Sequence, residues 1–233
     1  MLQKNTLAIW TVDQRLSGSA TLYQQHLSSS ELAHAKRFRF EKDRATFIIG
    51  RGILRHLLGY YTNKHPSEFQ FEYEELGKPF LEDFEAPYFN ISHSGNVIIM
   101  GFCWEQAIGV DVEKIKSNFD VTPLAEQNFS QMEIEALNKL NDFDRDRGFY
   151  RCWTRKESFI KAKGLGLSFP LDEFAVSLDD DLSSEVLQTK WDIKEKEEWQ
   201  LISYIPADGY LAAVSVRDTS MEIEYQNWTS FKG

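Results

Sequence analysis

The chain has 233 residues, of which 42% are hydrophobic and 27% charged, a size and mix that suit one large or two small packed domains rather than a disordered chain. Thirty-six Asp and Glu against twenty-six Lys and Arg leave a net charge of −10, which argues against nucleic acid as the main partner. No stretch approaches the roughly 20 apolar residues of a membrane span, and the opening Met1 to Trp10 lacks a signal peptide's apolar core, so a cytoplasmic protein is expected.

In chain order, Leu7 to Val12 is β-branched and aromatic and reads as a buried strand. Ser28, Ser29 and Ser30 offer helix caps ahead of Glu31, and a proline-free run from Ala45 to Tyr61 reads as a long helix. On it Phe47, Leu54, Leu58 and Tyr61 share one face. Arg44, Arg51 and Arg55 form a neighbouring stripe, read here as presented guanidiniums. Residues 31–64 as a whole carry Lys36, Arg37, Arg39, Lys42, Arg44, Arg51, Arg55 and Lys64 against Glu31, Glu41 and Asp43, a local basic excess able to receive an anionic partner. Phe69, Phe71 and Tyr73 alternate like a strand before the turn Gly77-Lys78-Pro79. Strands at 88–92 and 97–104 flank the loop His93 to Asn96, and another strand covers 107–113. A strong helix at 146–163 stops at Gly164. Alternation returns at 174–178, 199–205 and 211–216. The pattern is α+β, a helix against a small antiparallel sheet in each half, with a boundary near residue 105 that divides 1–105 from 106–233. Cys103 and Cys152 lack metal-ligand spacing and read as buried small hydrophobes.

Three segments carry chemistry. In Gly109-Val-Asp-Val-Glu113, strand alternation puts Asp111 and Glu113 on one face and Val110 and Val112 on the other. Two converging carboxylates repel unless a cation or protons compensate, and oxygen-only ligands suit Mg²⁺; the plain alternative is the exposed face of an edge strand. In Trp153-Thr-Arg-Lys-Glu-Ser-Phe-Ile-Lys161, Trp153, Glu157 and Lys161 recur every four residues along one side of a helix. There the plain alternative is a surface Glu–Lys pair. The third segment, Asn90-Ile-Ser-His-Ser-Gly95, sets small polar residues and an imidazole at a strand end, where they can meet phosphate or ribose, and Lys78 in its turn can meet an anion as a point charge.

Together these segments resemble the Sfp-type 4′-phosphopantetheinyl transferases, whose hallmarks are G-[IV]-D-[IV]-E and a later W-x-x-K-E-[SA]-x-x-K. Gly77-Lys-Pro79, Asn90 to Ser94 and Gly164-Leu-Gly-Leu167 extend the resemblance over roughly residues 30 to 178. The resemblance implies a pseudo-twofold pair of α+β halves with the active site in the cleft between them. It implies Asp111, Glu113 and Glu157 as a magnesium shell, and Lys78, Ser92, His93, Asp111 and Lys161 as coenzyme A contacts. Where some members place lysines ahead of the first long helix, this chain has Glu31 and His34, so Arg44 or Arg51 is expected to meet the 3′-phosphate by bidentate recognition.

The implied reaction moves the phosphopantetheine arm of coenzyme A to a serine of an apo acyl or peptidyl carrier protein and releases adenosine 3′,5′-bisphosphate. Glu157 is the expected general base, with Lys161 the competitor. A monomer is expected, since one chain carries both halves. A magnesium-dependent phosphohydrolase would also use clustered carboxylates but leaves Gly77-Lys-Pro79 and Asn90 to His93 unexplained. A non-catalytic carrier-binding module would not require Asp111, Glu113 and Glu157 together.

Overall fold

The computed structural model describes residues 2–75, 77–82, 85–117, 119–166 and 168–229; Leu167 of the Gly164 to Leu167 motif lies outside them. The strands are β1 (Thr6–Asp13), β2 (Glu72–Tyr73), β3 (Pro79–Phe80), β4 (Tyr88–Ser94), β5 (Val97–Cys103), β6 (Ile108–Lys114), β7 (Phe174–Val176), β8 (Val186–Thr189), β9 (Gln200–Tyr204), β10 (Tyr210–Val216) and β11 (Glu222–Trp228). The helices are α1 (Thr21–Gln24), α2 (Ser29–Ala35), α3 (Glu41–Thr62), α4 (Thr122–Asn128), α5 (Gln131–Lys139) and α6 (Asp142–Lys163). The expected α+β class holds. Two sheets carry the fold, one ordered β11-β1-β5-β4 and one ordered β6-β10-β9, with two small hairpins, β2-β3 and β7-β8.

Burial arranges these elements as four layers. Leu54, Leu57 and Leu58 of α3 pack on Ala8, Ile98 and Met100 from one face of the first sheet. The opposite face of that sheet, with Leu7, Ile9, Val97 and Ile99, meets Val110, Val112, Ala212 and Val214 of the second. Leu201, Leu211 and Ala213 on the outer face of the second sheet then pack on Phe149, Cys152, Phe159 and Ile160 of α6. Strand alternation thus sends Val110 and Val112 into the centre and turns Gly109, Asp111 and Glu113 toward α6, as the sequence leads one to expect. Cys103 and Cys152 are free and fully buried.

Local signals explain the helix ends. Ser28 caps α2 in a reciprocal box with Glu31, and α6 stops at Gly164, which takes a left-handed φ of 72°. Three expectations change. The alternation at 68–74 gives a strand at Glu72–Tyr73 alone, because Pro66–Glu68 forms a 3₁₀ turn and Phe69 leaves the strand line for the α3 core. Two of the three arginines of the α3 stripe do not face solvent: Arg51 and Arg55 are 7% and 1% exposed. Arg55 Nη2 lies 2.8 Å and Arg51 Nε 3.4 Å from the buried Glu31 carboxylate, and both guanidiniums stack on Phe71. Burial of a charge is tolerable only with such pairing. Finally, β11 pairs in parallel with β1, Leu7 opposite Ile223 and Ile9 opposite Tyr225, so the end of the chain completes the sheet that its start begins.

Gly109 shows what seats α6 on the second sheet. A Cβ there would come within 2.0 Å of the Ser158 carbonyl oxygen and 2.3 Å of the Ala162 nitrogen; only a glycine lets strand and helix backbones approach this closely. Gly109→Ala should therefore cost at least about 1–3 kcal/mol in urea-denaturation stability as overpacking, and an unchanged midpoint would show that α6 does not rest on β6 there.

Candidate active site

The site begins where two sheet edges meet. By hydrogen-bonded order β4 and β6 are both edge strands, and they lie side by side with polar side chains of β4 bridging the gap. The Val110 N–H donates to Asn90 Oδ1 at 2.8 Å, Ser92 Oγ donates to Asp111 Oδ1 at 2.8 Å, and Ser94 Oγ donates to Glu113 Oε2 at 2.7 Å. Alternate residues of Asn90-Ile-Ser-His-Ser94 thus stand in for the missing backbone ladder. Asp111 is 4% exposed, so it is not the solvated face of a free edge.

Helix α6 closes the cleft from above and is held on several sides. Lys156 and Glu133 form a fully buried pair at 2.8 Å, and Lys156 also donates to the carbonyls of Leu171 and Phe174. Arg155, also fully buried, donates to Ser203 Oγ and to the carbonyls of Ser177 and Asp180. Near the helix end, Lys163 pairs with Glu195, which also accepts from the Trp191 and Trp199 indoles. Glu157 and Lys161 accordingly face β6 from a rigid support.

Electrostatics make the cluster unusual. Lys161 Nζ sits 2.6 Å from Asp111 Oδ1 and 3.9 Å from Glu157 Oε2. Burial by itself would lower the pKa of this ammonium, and the Asp111 and Glu157 carboxylates more than reverse that, leaving it raised. Burial also pushes the Glu157 carboxyl up to about 7 against the Lys161 charge, with Asp111 and Glu113 adding repulsion. Glu113 is raised too, again chiefly by burial. Asp111 Oδ2 and Glu157 Oε1 are buried with no hydrogen-bond partner, a costly condition for carboxylate oxygens.

These oxygens fit a hard divalent cation, which takes oxygen ligands and would supply the missing partner and the missing charge. Among the described residues no three His, Cys, Asp or Glu side chains are grouped so as to hold a metal ion by themselves. Lys161 and Ser92 contact Asp111 Oδ1 and leave Oδ2 open, and a magnesium ion that keeps waters and phosphate oxygens as ligands needs no complete protein cage.

A cavity of about 470 Å³ opens beside the cluster, lined by Lys78, Asn90, Glu157 and Lys161 among others. It adjoins one of about 320 Å³ lined by Thr46, Phe47, Arg51 and His93, the two sharing Pro79 and Ile91. Larger cavities of about 620 and 590 Å³ lie along Phe80 to Ile108 and between Trp10 and Trp228, and neither lining includes the carboxylates; chemistry rather than volume selects the site. Lys78 donates to the Lys161 carbonyl oxygen at 2.8 Å, latching the β2-β3 hairpin onto the end of α6. That leaves two of its N–H donors for an anion. His93 keeps solvent access, yet desolvation in the cleft, and then the Lys161 charge, hold its imidazole below the ordinary histidine value.

Of the two arginines expected to meet a phosphate, Arg51 lines the smaller cavity with its Nη1 buried and unpartnered, whereas Arg44 pairs with Glu41 on the exposed start of α3. Asp111, Glu157, Lys161, Ser92 and Lys78 come together, and Glu113 stands next along the same face of β6, bonded to Ser94; His93 and Arg51 stand at the adjoining cavity. Asn90, Ser94, Glu133 and Lys156 escaped the sequence-based selection of site residues. The first two sit in a motif already singled out, and alternation with Ser92 was the signal that could have found them. No sequence signal pairs Glu133 with Lys156.

Buried carboxylates with unpartnered oxygens, an ammonium and an adjoining cavity thus meet where the two sheets and α6 join. Residues 107–215 match the model of the 4′-phosphopantetheinyl transferase superfamily, and residues 16–103 match that of the 4′-phosphopantetheinyl transferase N-terminal region. The chain is 38% identical over 193 residues to the 4′-phosphopantetheinyl transferase HetI of a Nostoc species, covering 82% of this chain and 78% of that protein. It is 34% identical over 159 residues to Sfp of Bacillus subtilis, covering 68% and 70% of the two chains. It is 29% identical over 214 residues to the mouse L-aminoadipate-semialdehyde dehydrogenase-phosphopantetheinyl transferase, covering 84% and 69%. The chain belongs to the 4′-phosphopantetheinyl transferase family.

The Glu157 shift sets a test that needs no substrate. Its folded-state pKa of about 7 exceeds the ordinary 4.5, so between those values the folded chain keeps a proton that the unfolded chain has released. The ionised carboxylate therefore costs nothing below pH 4.5, increasingly more as pH rises, and its full amount above about pH 7. In EDTA, Glu157→Gln should unfold like wild type near pH 4.5 and be the more stable protein at pH 8, by up to about 3 kcal/mol. Equal stability at pH 8 would show that this carboxylate is not strained.

Proposed function

We propose that this chain transfers the 4′-phosphopantetheine arm of coenzyme A to a serine of an apo acyl or peptidyl carrier protein, as a magnesium-dependent cytoplasmic monomer. The observation that carries the reading is the pair of buried, unpartnered oxygens, Asp111 Oδ2 and Glu157 Oε1, on two carboxylates whose other oxygens lie 2.6 and 3.9 Å from the Lys161 ammonium. Among the described residues no helix is long and apolar enough to cross a membrane, and the charge of −10 disfavours nucleic acid as partner.

Asp111, Glu113 and Glu157 would hold Mg²⁺, which supplies Lewis-acid neutralisation of the pyrophosphate charge. The carrier serine oxygen forms a bond to the β-phosphorus as the bond from that phosphorus to the bridging oxygen breaks, and adenosine 3′,5′-bisphosphate departs. Lys161, already raised in pKa and so charged at neutral pH, donates to pyrophosphate oxygens as negative charge grows on them. Neutral His93 and the free donors of Lys78 bind the same anion, and Arg51 meets the 3′-phosphate side of the nucleotide through its unpartnered Nη1. Glu157 accepts the serine proton, directly or through a bound water.

The direct test is to incubate the purified chain with apo carrier, coenzyme A and Mg²⁺ and to weigh the carrier intact. Addition of the phosphopantetheine mass, abolished by EDTA and by Asp111→Ala, is expected; no addition on any of several apo carriers would refute the proposal.

Lys161 should show two opposite effects. Because its ammonium competes with a metal for Asp111, Lys161→Met should tighten Mn²⁺ binding to the coenzyme A-free protein in calorimetry. The same variant should lower transfer by about 10²-fold or more through loss of a transition-state donor. Weaker Mn²⁺ binding in the variant would contradict the competition.

A further inference from the structure

We propose that Ser94 is a positioning residue for the carboxylate of Glu113, and that Tyr210 reaches over from the second sheet to hold the turn on which Ser94 sits. This rests on the reading that Asp111, Glu113 and Glu157 receive the divalent cation.

Ser94 ends β4, and its hydroxyl makes two contacts to the other half. It donates to Glu113 Oε2 at 2.7 Å and accepts the Lys114 N–H at 3.1 Å. A hydroxyl has one proton, and with the N–H at a lone pair that proton is committed to the carboxylate. Among the described residues no other side chain hydrogen-bonds to Glu113. Ser94 therefore sets the rotation of a carboxylate whose second oxygen stays free for a ligand.

The turn itself is fixed from the opposite half. Tyr210 on β10 pairs in register with Lys114, and its hydroxyl accepts the Asn96 N–H at 3.1 Å. Gly95 takes a φ of 59°, and a Cβ on it would lie 2.4 Å from the Tyr210 oxygen, so the phenol and the turn are in direct contact. The Asn96 carbonyl meanwhile accepts the Gln14 N–H at 2.9 Å. A chain of contacts thus runs from Tyr210 through the turn to Ser94 and on to Glu113, leaving the second half and returning to it. Such support matters because Mg²⁺ demands near-octahedral geometry, and loss of a hydrogen bond that orients a ligand typically costs 10–100-fold in metal affinity.

The test uses the full-length protein with Mn²⁺ alone, titrated by calorimetry without coenzyme A, together with the Mg²⁺ dependence of transfer to an apo carrier. Ser94→Ala should weaken Mn²⁺ binding by about tenfold or more, and the Mg²⁺ concentration for half-maximal transfer should rise by a larger factor than the maximal rate falls. Ser94→Thr, which keeps the hydroxyl, should restore most of the affinity. Tyr210→Phe, which removes the acceptor for Asn96, should give a smaller loss of the same kind and carries the proposal if Ser94→Ala does not fold. Wild-type Mn²⁺ affinity in Ser94→Ala, or equal losses in Ser94→Ala and Ser94→Thr, would overturn the role of Ser94 while leaving the transferase reading intact. A wild-type protein that transfers nothing overturns that reading and this inference with it.

Discussion

Everything in this fold that bears on chemistry depends on the seam between β4 and β6. Neither strand pairs its backbone with the other, yet each lies at the edge of its sheet, and an open edge is a liability that proteins cover or convert. Here it is converted. Asn90, Ser92 and Ser94 use their side chains where backbone groups would otherwise pair, and their partners are the Val110 and Lys114 N–H groups and the carboxylates of Asp111 and Glu113. The close approach of α6 at Gly109 completes the arrangement by lowering Glu157 and Lys161 onto the same face. The join between the two sheets and the reactive cluster are one structure, since β4 of one sheet and β6 of the other both hold its residues.

The cost of this arrangement is electrostatic. Asp111, Glu113 and Glu157 gather in a poorly hydrated cleft with Lys161 as the cation in contact with Asp111, and burial holds Glu113 and Glu157 above their ordinary pKa values. Strain of this kind must be opposed elsewhere. The opposing contacts are the Glu133–Lys156 pair, the Arg155 fan and the Lys163–Glu195 contact, which tie α6 down on sides away from the cleft. A helix so anchored cannot swing its charged residues apart, which is what a preorganised phosphate and metal site requires.

Legibility from the amino-acid sequence followed the range of the interaction. The strands β1, β4, β5, β6, β9 and β10 and the long helices α3 and α6 are written in local periodicity and caps, and the facing of Asp111 and Glu113 away from Val110 and Val112 follows from alternation along one strand. The outward reading of Arg51 and Arg55 failed because helical projection reports which residues share a face, not what covers it; Glu31 from α2 and Phe71 from beyond α3 supply the cover. The return of β11 to β1 is a pairing between the two ends of the chain, and no local pattern encodes it. The partnership of Glu133 with Lys156 is invisible for the same reason, whereas Ser94 was in view as part of a motif and needed only the register of β4 against β6 to acquire a partner.

The central claim is that the Asp111, Glu113 and Glu157 oxygens form a cation site shared with the pyrophosphate and that Lys161 balances the Asp111 charge until both arrive. The most direct measurement is a crystal structure of the chain with coenzyme A and Mn²⁺, with the metal located by anomalous scattering. The account predicts one manganese peak bonded to Asp111 and Glu157 oxygens and to the pyrophosphate, with the Lys161 ammonium moved off Asp111 Oδ1 onto a phosphate oxygen. A metal bound elsewhere, or Lys161 still seated on Asp111 beside an ordered coenzyme A, would contradict it.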